Sequence, residues 1–396
     1  MEHPIDIELA KYGLHRITVG DLENPPSKDD FIKDPVLSYK SVKVNAPYRL
    51  CPTVFDMEKL TVKEEDGLFN YGELAFTADG LDNTLAEIKV RGDSEITVYD
   101  ENHRESILLH TAEIIRKALE TKEGLDIKTK QTKYRHVGLG SSASLGGSVA
   151  RGILELYGMP MKTERIPHFL ACNYGEEDDF DRSKLVPVQS HGATATSQLY
   201  GGAIAVWDHA KMLGRSELPP NYTFIMAIPE IIGYESPRKM DGSWAYYNEI
   251  LHFPSLKRNG QLLKDVLAEG ADKIIGILNR DTKMSVQSLN DLGKVLMETL
   301  SAEDYKLCSR KLIHPRYKEL VIENFFRFTE EDYCPLAFIS SVGPGVALLV
   351  EDGSKEEVKS EIKGMKHDIV KGMNTLELKP NNKGSIVDCG KSLRIS

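Results

Sequence analysis

Mixed α+β, in two lobes, is the fold class that this sequence predicts, and three observations carry it. Strand-like runs open the first half, where a helix, a strand, a glycine turn and a second helix follow them. That order lacks the regular βαβα alternation of a doubly wound sheet. Helical segments then dominate from about Ser236 to Phe328. Beyond them a strand–turn–strand, helix, strand order suggests a split βαβ-like second lobe. At 396 residues the chain suits one large domain or two of moderate size. The expected divisions are an arm over 1–38, a first domain over 39–228 and a second over 229–396.

Composition narrows the function classes. Apolar and charged fractions are ordinary for a globular protein. A net charge of −10 argues against a general nucleic-acid binder, which needs a basic face to displace counterions. An anionic small molecule remains compatible, because a few local cations suffice. The 5 cysteines, Cys51, Cys172, Cys308, Cys334 and Cys389, lack CxxC or Cys/His spacing, which reads as reduced thiols with no zinc site and no disulfide framework. The first thirty residues have no apolar signal core and no apolar run reaches membrane-spanning length, so a cytoplasmic protein is expected.

Residues 1–38 read as a peripheral arm with one short helix around Ile5 to Tyr12 and no motif. A strand is expected at Ser41–Asn45, where valines alternate with polar residues, and Pro47 should end its pairing and leave Arg49 near an edge or bend. Further strand-like runs at Tyr71–Thr77, Ala86–Val90 and Glu95–Tyr99 read as the early part of an antiparallel sheet. Ser106–Glu120 has apolar residues at helical spacing with Gly124 near its end as a stop, and a strand follows at Leu125–Thr129. Later come a helix at Glu164–Tyr174, strands at Ala203–Trp207 and Thr223–Ile228, and strands at Leu336–Ser341 and Val346–Val350 across a glycine turn. The chain finishes with a helix at Lys355–Lys366, a strand at Thr375–Leu378 and a last strand near Ile386.

The stretch His136–Gly158, HVGLGSSASLGGSVARGILELYG, is the most informative. Its glycines let the backbone approach a ligand and take dihedrals that a Cβ would forbid. The free N–H groups that begin the following helix, with the positive end of its dipole, suit a phosphate. Gly146 and Gly147 each cost that helix about 1 kcal/mol against alanine, which implies close packing against a neighbour or ligand. The alternative is a Gly/Ser-rich loop before an ordinary buried helix.

Three separated stretches together resemble the GHMP kinase superfamily. APYRL at 46–50 looks like its first motif, GLGSSAS at 138–144 is similar to its glycine-rich phosphate loop, and SSVGPGVALLV at 340–350 resembles its third. Their order and spacing match as well, over roughly residues 40–395. The resemblance implies a ribosomal-protein-S5-like N-terminal lobe, a ferredoxin-like C-terminal lobe, ATP and Mg²⁺ as cofactors, a small-molecule substrate, and a homodimer. RLCPTVFDM at 49–57, EDGLFNYGELAF at 65–76, HVGLGSS at 136–142 and ISSVGP at 339–344 further resemble the archaeal β-ribofuranosylaminobenzene 5′-phosphate synthases, which join a phosphoribosyl group to an aromatic acid. That family's second motif usually reads GSGTQ, whereas Ser141-Ser142-Ala143-Ser144 is the kinase form; its GRGGTSGIG segment is replaced by SHGATATSQLYGG at 190–202. A synthase-like framework with a kinase-like loop resembles a relative turned to phosphoryl transfer, as in the archaeal mevalonate 3-phosphate 5-kinases. The synthase activity and a non-catalytic binding role stay as alternatives.

Phosphoryl transfer needs neutralised phosphate charge, a divalent ion on oxygen ligands and an aligned hydroxyl. By resemblance, the segment Gly138, Leu139, Gly140, Ser141, Ser142, Ala143 and Ser144 binds the nucleotide phosphates. Ser142 would place its hydroxyl on Mg²⁺ or a phosphate oxygen. Glu176 would complete the metal site with Glu177 second, unless 176–179 is a solvated acidic run. The superfamily's aspartate position falls on Thr194, which cannot act as a base. Catalysis would then rest on positioning and electrostatics, with Arg49 stabilising the transferring phosphoryl or binding an acid group of the substrate. Arg49 could instead be a salt-bridged strand residue. His191 is a candidate substrate contact or proton relay, against a structural hydrogen-bonded role. Thr194, Thr196 and Ser197 could reach a substrate oxygen or simply cap a helix. Gly343 and Gly345 could let the backbone pass near the substrate, or form a plain tight turn; Asp56 and Arg238-Lys239 are further candidates for substrate contact.

Overall fold

The computed structural model describes residues 4–11, 13–56, 59, 70–134, 137–178, 181–187, 190, 192–232, 245–301, 316–341 and 343–390. In chain order the first elements are α1 (Pro4–Ala10), β1 (Ile17–Thr18), β2 (Ser41–Ala46), β3 (Tyr48–Val54), β4 (Glu73–Asp79), β5 (Thr84–Val90), β6 (Ile96–Asp100), α2 (Glu105–Ala118) and β7 (Leu125–Lys130). Next come α3 (Ser141–Leu156), α4 (Ile166–Cys172), β8 (Gly175–Glu177), β9 (Lys184–Pro187), α5 (Ala193–Tyr200), β10 (Ala203–Trp207), β11 (Lys211–Ser216) and β12 (Tyr222–Ile231). The last are α6 (Ala245–Arg280), α7 (Val286–Ser301), α8 (Tyr317–Asn324), β13 (Leu336–Ile339), β14 (Val346–Glu351), α9 (Lys355–Gly364), β15 (Val370–Pro380) and β16 (Ile386–Cys389).

Pro47 decides where the first long strand divides. Before it, β2 buries Val42 and Val44 and exposes Lys43 and Asn45, the alternation of a half-buried strand. Proline has no N–H to give the ladder. Here the chain leaves one sheet for another. β2 sits in a five-stranded sheet of order β16-β2-β5-β7-β6, whereas β3 pairs with β4 in an eight-stranded sheet that continues through β11-β10-β4-β15-β12-β14-β13. The expected run of antiparallel strands is therefore corrected. β4 and β5 belong to different sheets, and β6 pairs parallel with β7. Helix α2 lies between β6 and β7 in sequence and supplies the crossover that parallel neighbours need.

Helices α2 and α3 cover the five-stranded sheet. Ile88, Val44, Leu108, Ile115, Val149 and Ile153 share that core. α3 approaches so closely that a Cβ on Gly152 would lie 2.2 Å from Ile88 Cδ1. Its tolerance of glycine is thus a packing requirement. The eight-stranded sheet buries Leu50, Phe76, Phe224 and Phe338 against α6 and α7, and its other face packs on α8 and α9. Strand β12 pairs with β14 and β15, so it is hydrogen-bonded to the last quarter of the chain, and β16 returns to pair with β2.

The N-terminal arm is not peripheral. β1 pairs antiparallel with β9, in a three-stranded sheet with β8. Arg16 donates to Asp6 at 2.8 Å and to the buried Asp178 at 2.6 Å. His110, buried on α2, accepts the Gly20 N–H at Nδ1 (3.0 Å), and its Nε2 is 2.8 Å from the Asn173 carbonyl oxygen. The arm therefore fastens the strand that carries Glu176 and Glu177.

Candidate functional site

The segment between β7 and α3 is held by its apolar side chains, which leaves its backbone exposed to the site. Val137 and Leu139 bury themselves in the core with Leu50 and Phe338. Gly138 and Gly140 between them adopt φ of 91° and 65°, conformations that L side chains rarely take. Gly140 forms the N-terminal boundary of α3, whose first intrahelical bond runs from the Ser144 N–H to the Gly140 carbonyl at 2.9 Å. The amides of Ser141, Ser142 and Ala143 precede that bond and, with the dipole of a 16-residue helix behind them, make an anion site.

Two guanidinium groups meet this helix start. Arg49 donates its backbone N–H to the Leu139 carbonyl (3.2 Å), which docks β3 directly on the loop. Its Nε lies 3.2 Å from both Thr194 Oγ1 and Glu73 Oε1. Thr194 belongs to the first turn of α5, and Glu73 is a buried carboxylate at the start of β4. Burial works against the Arg49 charge, and Glu73 together with Cys51, Tyr71 and Tyr174 more than restores it, so its pKa ends above the ordinary value.

The second cation is Arg104, whose side chain is only 1% exposed. Arg104 Nε and Nη2 grip Glu177 at 2.6 and 2.8 Å in a bidentate fork. Nη2 also donates to Ser142 Oγ at 2.6 Å and to Glu176 Oε2 at 2.8 Å. The remaining Glu176 oxygen accepts the Tyr174 hydroxyl at 2.6 Å. Burial holds the Glu176 carboxyl above its usual range despite the pull of Arg104, and burial beside Glu176 pushes the Tyr174 hydroxyl well up. Arg49 Nη1 and Arg104 Nη1 are buried and have no hydrogen-bond partner. A buried donor left unmatched costs about 1–3 kcal/mol, so two beside one helix start are a strong pointer to an anion.

The turn between β13 and β14 closes the other side. Ser340 Oγ donates to the Gly138 carbonyl at 2.6 Å and accepts the Cys51 N–H at 3.1 Å. A Cβ on Gly345 would lie 2.3 Å from the Val137 carbonyl oxygen. Gly138 and Gly345 are thus needed for the two turns to touch each other. Gly343, at φ 83°, shapes the same turn, and its N–H bonds the Ser340 carbonyl at 3.0 Å.

Several expected site residues turn out to be engaged elsewhere. Ser144 points into the core, near Thr84 Oγ1 (3.2 Å), and accepts from Gln198 Nε2 (2.8 Å). Thr196 and Ser197 lie inside α5, and their hydroxyls donate to the carbonyls of Gly192 and Ala193 at 3.0 and 2.8 Å. That back-bonding to position i−4 is the ordinary use of a buried helical hydroxyl, in place of the expected substrate contact. Asp56 lies just beyond β3, where its Oδ1 accepts the Lys59 N–H at 3.4 Å. The acidic run is not solvated: Glu176 and Asp178 are both buried. His191, Asp179 and Arg238-Lys239 lie outside the described residues. Sequence reasoning missed Arg104, Tyr174 and Glu73. Only Glu73 left a signal, as the one carboxylate in the otherwise apolar start of a strand buried on both faces.

Residues 106–179 match the family model described as the GHMP kinases N terminal domain. No curated protein matches the chain by sequence. Among solved structures, mevalonate diphosphate decarboxylase from Staphylococcus aureus aligns over 88% of this chain and 98% of its own, at 14% identity and a TM-score of 0.60. Homoserine kinase from Cytophaga hutchinsonii aligns over 88% and 98%, at 13% identity and a TM-score of 0.55. The Methanococcus jannaschii mevalonate kinase aligns over 87% and 99%, at 14% identity and a TM-score of 0.53. The chain has the GHMP kinase fold, and the family match falls on the part that contains the glycine loop and Glu176. Among the described residues no helix is long and apolar enough to cross a membrane.

Proposed function

We propose that the chain is an ATP-dependent kinase that phosphorylates a hydroxyl of a small acidic metabolite, and that mevalonate 3-phosphate, yielding mevalonate 3,5-bisphosphate, is its acceptor. The observation that carries the phosphate-binding half is the pair of unpartnered guanidinium nitrogens, Arg49 Nη1 and Arg104 Nη1, beside the free amides that begin α3. The choice of acceptor is supported by the sequence resemblance and by two structural neighbours that are named for mevalonate chemistry.

The amides of Ser141–Ala143 cradle the nucleotide phosphates, and Arg49 takes the charge that develops on the transferring phosphoryl group. Glu73 and Thr194 hold the Arg49 guanidinium in place from one side, leaving Nη1 to reach the anion. The acceptor oxygen forms its bond to the γ-phosphorus as the bridging oxygen leaves with ADP, and the hydroxyl proton passes to solvent. Magnesium would arrive on the nucleotide phosphates and neutralise part of their charge. Ser142 Oγ and Glu176 have the hard oxygen chemistry that magnesium takes, yet Arg104 Nη2 contacts both, so an ion bridging them would meet the guanidinium. Among the described residues no cluster of three or more His, Cys, Asp or Glu side chains could hold a metal.

Incubation with ATP and a panel of mevalonate, mevalonate 3-phosphate, homoserine and pantoate tests the reading by ADP release. Turnover is expected with mevalonate 3-phosphate. Release of pyrophosphate from phosphoribosyl pyrophosphate with 4-aminobenzoate, and no ADP from any acceptor, would overturn it.

A further inference from the structure

We infer that Arg104 is the resident cation of this site: its guanidinium takes the position between Ser142 and Glu176 that a divalent ion would need, and reaches the phosphate itself. The inference rests on the preceding reading for where the anion docks, and corrects the expectation of a Ser142/Glu176 metal site.

Stereochemistry carries it. The Nε/Nη2 edge of Arg104 is filled by the two oxygens of Glu177. The second hydrogen of Nη2, on the side facing Nη1, is left for Ser142 Oγ and Glu176 Oε2. The Nη1/Nη2 edge therefore faces the start of α3, and Nη1, the donor without a partner, lies along it. A magnesium ion binds oxygen at about 2.0–2.1 Å. Nη2 lies 2.6 and 2.8 Å from the same two atoms, so an ion bridging them would share its space with a positive charge. One guanidinium against the carboxylates of Glu176 and Glu177 leaves the cluster with one net negative charge when both are ionised. A phosphate on Nη1 adds to that charge, and an ion carried by the nucleotide offsets it. The anchoring is stiff: Tyr174 holds the other Glu176 oxygen, and Asp100 Oδ2 accepts the Arg104 N–H at 3.3 Å.

The test is Mn²⁺ titration followed by electron paramagnetic resonance on nucleotide-free protein, with Arg104→Ala, Arg104→Lys, Glu176→Gln and Arg104→Ala/Glu176→Gln alongside. The wild type and Arg104→Lys are expected to show no binding that depends on Glu176. Arg104→Ala should bind Mn²⁺ at least about tenfold more tightly than wild type, and Glu176→Gln added to it should abolish the gain. Binding by the wild type that Glu176→Gln removes would overturn the inference, and so would a folded Arg104→Ala that gains nothing. Should Arg104→Ala fail to fold, the comparison of wild type with Glu176→Gln decides. Calorimetry with ATP on the wild type separates the two readings. No nucleotide binding at all sinks the kinase, whereas nucleotide binding together with Glu176-dependent Mn²⁺ binding sinks only the role given to Arg104.

Discussion

A Cβ on Gly138 would lie 2.2 Å from the carbonyl oxygen of Ser340, two residues separated by about half of the chain. The loop before α3 and the turn after β13 touch backbone to backbone. Gly138→Ala adds that clash to a φ of 91°, and the two together should lower stability by about 2–4 kcal/mol. Urea denaturation measures it. Nucleotide affinity should fall as well, because the loop can relieve the clash only by moving away from Ser340. An unchanged midpoint with unchanged affinity would mean that the two turns are not in contact.

Arg49 is both a support and a candidate catalytic group, and the two roles separate by a double substitution. Arg49→Met leaves Glu73 buried without that guanidinium, which should cost about 3–5 kcal/mol. Glu73→Gln removes the buried charge, so the double variant should recover most of the stability. Turnover should stay low in the double variant, because the cation near the phosphoryl group is still missing. Turnover that returns with stability would make Arg49 purely structural.

Ser142→Ala removes one acceptor from Arg104 while both Glu177 oxygens and Glu176 keep their bonds. The stability loss should be about 1 kcal/mol. Turnover should fall by more than about tenfold, the size expected when a hydroxyl that positions charge at a phosphate is deleted. Steady-state kinetics beside a thermal melt checks both. A variant that turns over normally would remove Ser142 from the site.

How much of this was legible in the sequence depended on how local the cause was. Pro47, the valines of β2 and the Ala203–Trp207 strand were readable because proline, alternation and a short continuous apolar run all act within a few residues. The glycine loop was readable because backbone freedom and a following helix are local too. Arg104 was not: it sits in a polar turn with nothing around it to mark it, and its partners lie 38 and 72 residues further on. Thr196 and Ser197 read as substrate contacts or helix caps because hydroxyls in a short Gly/Thr-rich run look like a turn, when they are buried helix residues that bond the carbonyls of Gly192 and Ala193. Gly138 was read for the approach of a ligand and Gly345 for that or a plain tight turn, whereas each is required by the backbone of the other turn. Sequence marks where a Cβ is not tolerated, and only the packing says what excludes it.

The His110 ring gives the arm a pH dependence. Because the Gly20 N–H points at Nδ1, that nitrogen carries no proton and Nε2 donates to the Asn173 carbonyl. Burial lowers its pKa from 6.5, and the Asn173 carbonyl, Glu23 and Asp21 restore only part of that. The folded chain thus takes up the proton at a lower pH than the unfolded chain. The stabilisation is complete above the unfolded value and is lost as pH falls below it towards the folded pKa, by up to about 1.4 kcal/mol per pH unit. Melts at about pH 7.5 and about pH 5.5 should show a larger drop for the wild type than for His110→Gln, which keeps a polar side chain but cannot titrate. Asn173 immediately precedes Tyr174, and its Oδ1 accepts the Glu23 and Asn24 amides at 3.1 and 3.3 Å. Protonation should therefore loosen the arm and β8 together, and hydrogen exchange at Gly20, Glu23 and the Gly175–Glu177 strand should accelerate at the lower pH. Parallel melting shifts in the two proteins would assign the acid sensitivity to another group.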